Sequence, residues 1–217
     1  MSISPATLPN RVAPDGSLFA TPERGLFMGN RGGRFHHSVT REIGTRRHVT
    51  RQWICCVTAF RGRQRQVWGP NTYTELFFCD EVTAFSAGHR PCMECRRPDA
   101  LRFRHALRDG LGLARVPTCP EMDAILDGER RITHEKRIHR LDAGTLPDGA
   151  MLRAHDGVCL ALKANQALQW SPGGYTPALA RPRGVVEVLT PPAILAALKS
   201  GYQPVWGTIF TSEHDVA

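Results

Sequence analysis

Lysine is scarce in this 217-residue chain: three of its 28 basic residues are lysine and the other 25 are arginine. Aromatic residues are also few, at 7%, and no apolar run approaches the roughly 20 residues that a membrane-spanning helix needs. No G-x-y period and no sustained heptad occurs, which excludes collagen-like and coiled-coil proteins. With 41% hydrophobic residues the chain can still bury a core. We therefore expect one domain, or one domain with a small module.

The surplus of positive charge lies in the front of the chain. The formal net charge is +8 overall, with +9 in residues 1–140 and −1 in residues 141–217. Because a basic surface attracts polyanions, this distribution predicts a nucleic-acid partner. The alternative is a compositional bias towards arginine, which explains the total charge better than it explains the asymmetry.

The seven cysteines are an odd number, and the start of the chain lacks the apolar segment of a secretory signal. We therefore expect a reduced, cytoplasmic protein with no disulfide framework. Cys159 lies in an apolar run and is expected to be a small buried hydrophobic residue, and Cys119 is expected at a helix start. The remaining cysteines are candidate metal ligands: Cys55, Cys56, Cys79, Cys92 and Cys95.

The order of local patterns predicts an α+β fold. Residues 1–33, rich in Pro, Gly and Arg, are interpreted as a loosely ordered arm. A basic domain over 34–140 is expected to hold an antiparallel β-meander, a zinc knuckle and short helices. Turn signals between short apolar runs predict a small β-rich part over 141–217 that ends in a short helix. The strands of the meander are expected at 51–60, 64–68 and 72–78.

Helix start and stop signals place three helices in the basic domain. Asp80 is a predicted N-cap and Gly88 a predicted stop for a two-turn helix. Pro98 begins a second helix that Gly110 is expected to close. A capping box at Thr118 opens a third helix that runs to about Arg131.

The second of these helices is expected to have two different faces. Ala100, Phe103 and Leu107 share an apolar face, and the opposite face carries arginines. This pattern predicts that one face packs on the core and the other meets a polyanion. The predicted phosphate contacts are Arg90, Arg96, Arg97, Arg104 and Arg108.

The sharpest chemical signal is Cys92-Met93-Glu94-Cys95 directly before that helix. A Cys-x2-Cys turn supplies half of a tetrahedral zinc site, and a helix N-terminus favours negatively charged sulfur. A zinc deaminase would also need an upstream His/Cys-x-Glu, which the chain lacks. A thioredoxin-like redox pair would need to follow a strand rather than a helix.

The residues around this motif resemble the C-terminal half of the Ada-type zinc-binding module of methylphosphotriester DNA repair proteins. The match runs over residues 77–99 and includes an aromatic strand end, a short helix and the motif A-G-x-R-P-C-x-x-C. The whole chain also resembles a group of bacterial proteins, which adds no functional expectation. The Ada resemblance implies zinc binding and a surface that faces DNA rather than RNA. Because the chain has no Cys-x3-Cys, the methyl transfer of that family is not carried over.

The other zinc ligands are less clearly marked. Neighbouring residues of a strand point to opposite faces, so one of Cys55 and Cys56 can reach the site, and we favour Cys56. The fourth ligand is predicted to be Cys79, with His36 and His89 as alternatives, although His89 is better placed to pack as an aromatic residue. Such a cysteine-rich, closed site predicts a structural Zn²⁺. The alternative is a zinc-free core in which the cysteines pack as small hydrophobic residues.

Two other functions stay open at the level of sequence. His134 and His139, with Glu135 and Asp142 nearby, are candidates for a nuclease-like hydrolase, although this segment also reads as a solvated basic stretch. The near-neutral part over 141–217 is a candidate docking surface for a protein partner. No P-loop and no Ser/His/Asp nucleophile elbow occurs, so the sequence favours a binding protein over an enzyme.

Overall fold

The computed structural model describes residues 7–64 and 66–210, and over these residues the fold is α+β, as predicted. Two six-stranded sheets form its framework. The strands are β1 Arg11–Val12, β2 Leu18–Phe19, β3 Phe27–Arg31, β4 His36–His37, β5 Glu42–Ile43, β6 Trp53–Val57, β7 Leu76–Phe78, β8 Arg90–Pro91, β9 Arg131–Ile132, β10 Glu135–Lys136, β11 His139–Asp142, β12 Met151–Arg153, β13 Cys159–Lys163, β14 Gln166–Ser171, β15 Gly174–Ala180 and β16 Val185–Val188. The helices are α1 Glu81–Ser86, α2 Arg97–Leu111, α3 Cys119–Arg130 and α4 Pro192–Lys199.

The first sheet has the order β2-β1-β7-β3-β6-β8 and differs from the predicted meander. Strand β3 lies between β6 and β7 and pairs antiparallel with both. The pairs β1–β7 and β6–β8 are parallel, so the sheet is mixed. The meander was expected to place 64–68 between 51–60 and 72–78, but a strand from the front of the chain, β3, lies between them instead.

The prediction of a loosely ordered arm over 1–33 is wrong for its described part. Residues 27–31 form a central strand of the first sheet, and two further short strands lie before it. Gly29 allows β3 to lie close to β6, because a Cβ at this position would stand 2.1 Å from the Ile54 carbonyl oxygen. Residues 1–6 lie outside the described residues.

The strand predicted at 64–68 is also wrong. Residues 67 and 68 form a turn, in which Trp68 has a positive φ of 61°. The Trp68 ring is buried and stacks on His36, and its indole nitrogen donates to the Glu75 carbonyl oxygen at 3.0 Å. The Trp68 ring therefore packs in the core and does not belong to a strand. Arg65 lies outside the described residues.

The helix starts follow their capping signals. Asp80 caps α1 by accepting from the Thr83 backbone N–H at 2.8 Å, and Thr118 with Glu121 forms the capping box of α3. Helix α2 runs past the predicted stop at Gly110 and ends at Gly112, whose φ of 63° is the left-handed conformation of a C-terminal glycine.

The second sheet has the order β11-β16-β12-β13-β14-β15 and is antiparallel throughout. It agrees with the β-rich part predicted over 141–217, of which residues 211–217 lie outside the described residues. Helix α4 ends this part as predicted, but it packs on the front half of the chain. Its Ile194 and Leu198 share one buried cluster with Phe103 and Leu107 of α2 and with Phe85 of α1.

No helix in the described residues is long and apolar enough to cross a bilayer.

Candidate metal centre

Parallel pairing of two strands assembles the candidate metal centre. Strand β8 pairs with β6 so that Cys55 lies opposite Pro91, and the Cys92 backbone N–H donates to the Cys55 carbonyl oxygen at 2.9 Å. This register brings Cys56, on the opposite face of β6 from Cys55, towards the turn between β8 and α2. That turn carries Cys92 and Cys95.

The Sγ atoms of Cys56, Cys92 and Cys95 lie within 4.8 Å of one another. In a tetrahedral site with Zn–S bonds of about 2.3 Å, the sulfur atoms are separated by about 3.8 Å. A small contraction of this group, which we call the three-cysteine cluster, would bring the three sulfurs to the spacing of ligands of one ion. The three thiols could hold a metal ion, and Cys56 rather than Cys55 is the strand cysteine that lies with Cys92 and Cys95.

The surroundings of the three-cysteine cluster favour a negative charge on one sulfur, that of Cys92. Hydrogen bonds from the Cys56 and Cys95 thiols, with further ones from the backbone N–H groups of Glu94 and Cys95, lower the pKa of Cys92. The Glu94 bond spans 3.4 Å from nitrogen to Sγ. Hydrogen bonding to Cys92 and Cys95 and then burial raise the pKa of Cys56. The hydrogen bond with Cys56 lowers the pKa of Cys95, but the hydrogen bond with Cys92 and burial together raise it, so Cys56 and Cys95 both favour the protonated thiol. A bound cation would replace these protons and satisfy all three sulfurs.

The predicted fourth ligand is not part of this arrangement. The Cys79 Sγ lies 3.2 Å from where a Gly207 Cβ would stand, beside the C-terminal segment, and it does not belong to the three-cysteine cluster. His36 instead bonds to Thr74 at 2.9 Å and stacks on Trp68. Among the residues that the structure describes, no fourth His, Cys, Asp or Glu joins the group.

His89 packs as an aromatic residue, as the sequence suggested. Its ring lies 5.1 Å from that of Trp53 and 4.6 Å from that of Phe78, and it is fully buried. Burial, followed by repulsion from the nearby Arg31 and Arg130, lowers its pKa well below the ordinary value, so the ring is neutral. Because Nε2 accepts from Arg31 at 3.4 Å, the proton resides on Nδ1, for which the described residues offer no hydrogen-bond partner.

Two of the five arginines predicted to contact phosphate are not on the surface. Arg90 is 1% exposed and forms a bidentate pair with Asp123 at 2.8 and 2.9 Å. Arg96 is 3% exposed and lies 2.7 Å from Glu81 and 2.9 Å from Asp99. Because both guanidinium groups pair with carboxylates inside the protein, neither is placed to contact a phosphate as predicted.

The other three arginines lie on α2 as predicted. Arg97 is exposed, Arg104 is half-buried and donates to the Pro117 carbonyl oxygen at 2.9 Å, and Arg108 lies 2.7 Å from Asp109. Arg104 lies seven residues after Arg97 and four before Arg108, so the three share one helix face. The remaining arginines of the predicted nucleic-acid surface therefore lie together on this face of α2.

The two histidines of the hydrolase alternative have different surroundings. The His139 side chain bonds to the Glu129 carbonyl oxygen at 2.8 Å, and burial lowers its pKa. His134 lies in the turn between β9 and β10 and lines a large cavity. The structure gives His139 a backbone partner rather than a catalytic one.

That cavity is the feature that sequence reasoning missed, and we call it the basic cavity. It has a volume of about 810 Å³ and lies between the β9–β10 hairpin, the end of α3, Trp53 and the loops at 15–17 and 45–49. Its walls include Arg31, Arg130 and Lys136. The sequence offered no signal for it, because these residues come from three distant segments that resemble an arm, a helix end and a solvated stretch.

Comparison of the chain with protein-family models, with curated proteins and with solved structures finds no match. The resemblance to the Ada-type module therefore stays a prediction that rests on residues 77–99.

Proposed function

We propose that this protein binds a zinc ion through Cys56, Cys92 and Cys95 and presents its basic front half to a nucleic acid, with DNA ahead of RNA. The observation that carries the proposal is the three-cysteine cluster, whose Sγ atoms lie within 4.8 Å of one another. Three thiols converge there from two separate segments without forming a disulfide.

Zinc fits the donor set better than the other common ions. Thiolates are soft ligands that select zinc, copper(I) or iron–sulfur clusters over magnesium and calcium. Backbone N–H groups directed at Cys92, together with the start of α2, stabilise the anionic sulfur that zinc requires. With three protein ligands, a four-coordinate ion takes its fourth ligand from outside the cluster. The site is therefore less closed than the four-ligand site that the sequence predicted.

The zinc ion would act first on the fold. It would tie β6 to the start of α2, which carries the exposed arginines. Because ligands must be deprotonated and placed together, the binding free energy of the ion adds to the stability of this region.

Metal content tests this half of the proposal. Elemental analysis of untagged protein, purified without chelator, should give one zinc per chain in the wild type. The variant Cys92→Ser/Cys95→Ser should lose the zinc, and Cys56→Ser should lose most of it, because each removes ligands from the site. Cys159→Ser, outside the three-cysteine cluster, is the control and should keep the metal. Wild-type protein without metal, or full zinc content in the double variant, would contradict the proposal.

The nucleic-acid half is supported by charge and its location. The front of the chain holds the whole positive surplus, and α2 places Arg97, Arg104 and Arg108 on one face. An arginine that contacts a phosphate releases a condensed counterion, so affinity falls as salt increases.

Salt dependence tests this half separately. For full-length protein and a DNA duplex, the logarithm of the affinity should fall linearly with the logarithm of the salt concentration. Arg97→Gln/Arg108→Gln should weaken binding at low salt and reduce the slope by about 0.9 for each lost phosphate contact. Arg183→Gln/Lys199→Gln removes two exposed charges from the back half and is the matched control, with no expected change in slope. Affinity that stays flat with salt, or equal slopes in both variants, would refute the phosphate role of α2.

A further inference from the structure

The walls of the basic cavity carry a strong excess of positive charge. Six arginine and lysine side chains line it, against the two acids Asp15 and Glu135. The six are Arg31, Arg46, Arg47, Arg130, Arg131 and Lys136. Its volume of about 810 Å³ lies within the range of sites that take small molecules. The imbalance points to an anionic occupant.

Arg31 is buried in this wall without a carboxylate partner. Its side chain is 2% exposed and donates to the Gly16 carbonyl oxygen at 2.9 Å and to His89. In the described part of the chain, no Asp or Glu lies within ion-pair distance of it. A buried charge without a counterion is costly, and most proteins avoid it.

Arg130 and Lys136 complete the group. Arg130 shares Asp127 with Arg131, at 3.0 and 3.1 Å, and donates to the carbonyl oxygens of Gly88 and Arg51 at 3.2 and 2.8 Å. Its buried Nε has no hydrogen-bond partner among the described residues. The Lys136 ammonium donates to the Ser86 carbonyl oxygen. Among the described residues, Asp127 is thus the one carboxylate within ion-pair distance of Arg31, Arg130 or Lys136, and Arg130 shares it with Arg131.

The protonation of these groups reflects the same imbalance. Burial, followed by repulsion from Arg130, lowers the pKa of Arg31 to about 9. Burial also lowers the pKa of Lys136 to about 7, although Asp15 opposes the shift. An anion in the cavity would stabilise the charged form of each group.

Trp53 holds the two arginines in place. The guanidinium carbons of Arg31 and Arg130 lie 4.2 and 3.9 Å from the centre of its indole ring. Cation–π contacts of this kind favour planar guanidinium groups and leave their N–H edges directed away from the ring. Because the ring and the backbone acceptors hold both guanidinium groups in place before a ligand arrives, the entropic cost of binding is reduced.

We propose that the basic cavity binds a phosphate monoester, with Arg31, Arg130 and Lys136 as its anchoring cations. Guanidinium groups match phosphate oxygens in pairs, and three cations suit a dianion better than a single carboxylate. The monoester has two sources, a small phosphorylated molecule or the phosphorylated end of a nucleic-acid strand. A small phosphorylated molecule would be a ligand beyond the proposed function. A phosphorylated strand end rests on the proposed function, because it would specify which part of the nucleic acid the protein binds. Neither involves the cysteines, so metal content and phosphate binding fail or succeed independently.

Titration calorimetry of the full chain tests the proposal. The probes are inorganic phosphate, a mononucleotide, and one oligonucleotide with either a 5′-phosphate or a 5′-hydroxyl end. Lys136→Met should weaken mononucleotide binding at least tenfold, whereas Lys163→Met, a half-buried lysine of the second sheet, should leave it unchanged. Arg47→Gln, at the exposed rim, is a second variant that should also weaken binding without disturbing the core.

Each outcome has a definite meaning. A mononucleotide that binds while the two oligonucleotides bind equally assigns a small-molecule source, and tighter binding of the 5′-phosphate oligonucleotide assigns a strand end. A thermal scan adds a second readout. Lys136→Met should not lower Tm, because it removes a half-buried charge that has no carboxylate within ion-pair distance among the described residues, yet it should reduce the increase in Tm that phosphate causes. No binding of any phosphate probe to wild type, or wild-type affinity for the mononucleotide in both Lys136→Met and Arg47→Gln, would overturn the proposal.

Discussion

Arg90 and Arg96 both form ion pairs inside the protein rather than at its surface. Arg90 joins β8 to α3 through Asp123, and Arg96 joins the start of α2 to α1 through Glu81. The carboxylate of Asp123 more than offsets the effect of burial and raises the pKa of Arg90, so the guanidinium stays charged inside the protein. A charge held in this way depends on its single partner.

We expect Asp123→Ala to lower the free energy of unfolding by about 3–5 kcal/mol, because it leaves the Arg90 charge buried and uncompensated. Arg90→Leu/Asp123→Leu should cost less than this single variant, since it removes both charges and keeps apolar volume. Urea denaturation of the three proteins measures the differences. The exposed pair of Arg115 with Glu121 is the control, and Arg115→Ala should change stability little. A double variant that is less stable than Asp123→Ala would contradict this account.

At the scale of elements, local signals gave helix starts better than helix ends. The caps at Asp80 and Thr118 act within one turn and need no tertiary information. Gly110 carries the same stop signal as Gly112, but a Cβ on Gly110 would stand 2.3 Å from the Ala196 carbonyl oxygen of α4. Gly110 therefore permits the crossing of two helices, and that requirement comes from a segment 86 residues further along the chain.

The candidate site shows the same division between local and distant information. The Cys-x2-Cys turn and the alternation along β6 predicted Cys92, Cys95 and Cys56 as neighbours, since spacing and period were enough. Cys79 was misjudged because closeness along the chain to α1 does not determine the direction of its side chain. The central position of β3 could not be predicted either, because a short Gly- and Arg-containing segment becomes a strand only through partners on both sides.

At the scale of the whole molecule, α1 joins the two halves of the chain. Its two buried acids are satisfied by the C-terminal part: Asp80 accepts from the Tyr175 hydroxyl at 3.0 Å and from the Gly207 N–H at 2.9 Å. Glu81 accepts from the Tyr202 hydroxyl at 2.9 Å and from the Val205 N–H at 3.0 Å. The hydrogen bonds of Asp80 and Glu81 therefore cross the boundary near residue 140 that the change in charge suggested.

A chain that ends after Arg140 should fail to fold cooperatively, although it holds the complete predicted zinc domain. It would leave the Asp80 and Glu81 carboxylates without four of their donors and would remove α4 from the apolar face of α2. Full-length protein should unfold in one transition that coincides by circular dichroism and by tryptophan fluorescence. The truncated chain should show no sigmoidal transition and no protected core in hydrogen exchange. A cooperative transition in the truncated chain would instead establish residues 1–140 as a self-sufficient unit, and the contacts of α1 with the C-terminal part would then join two units that fold separately.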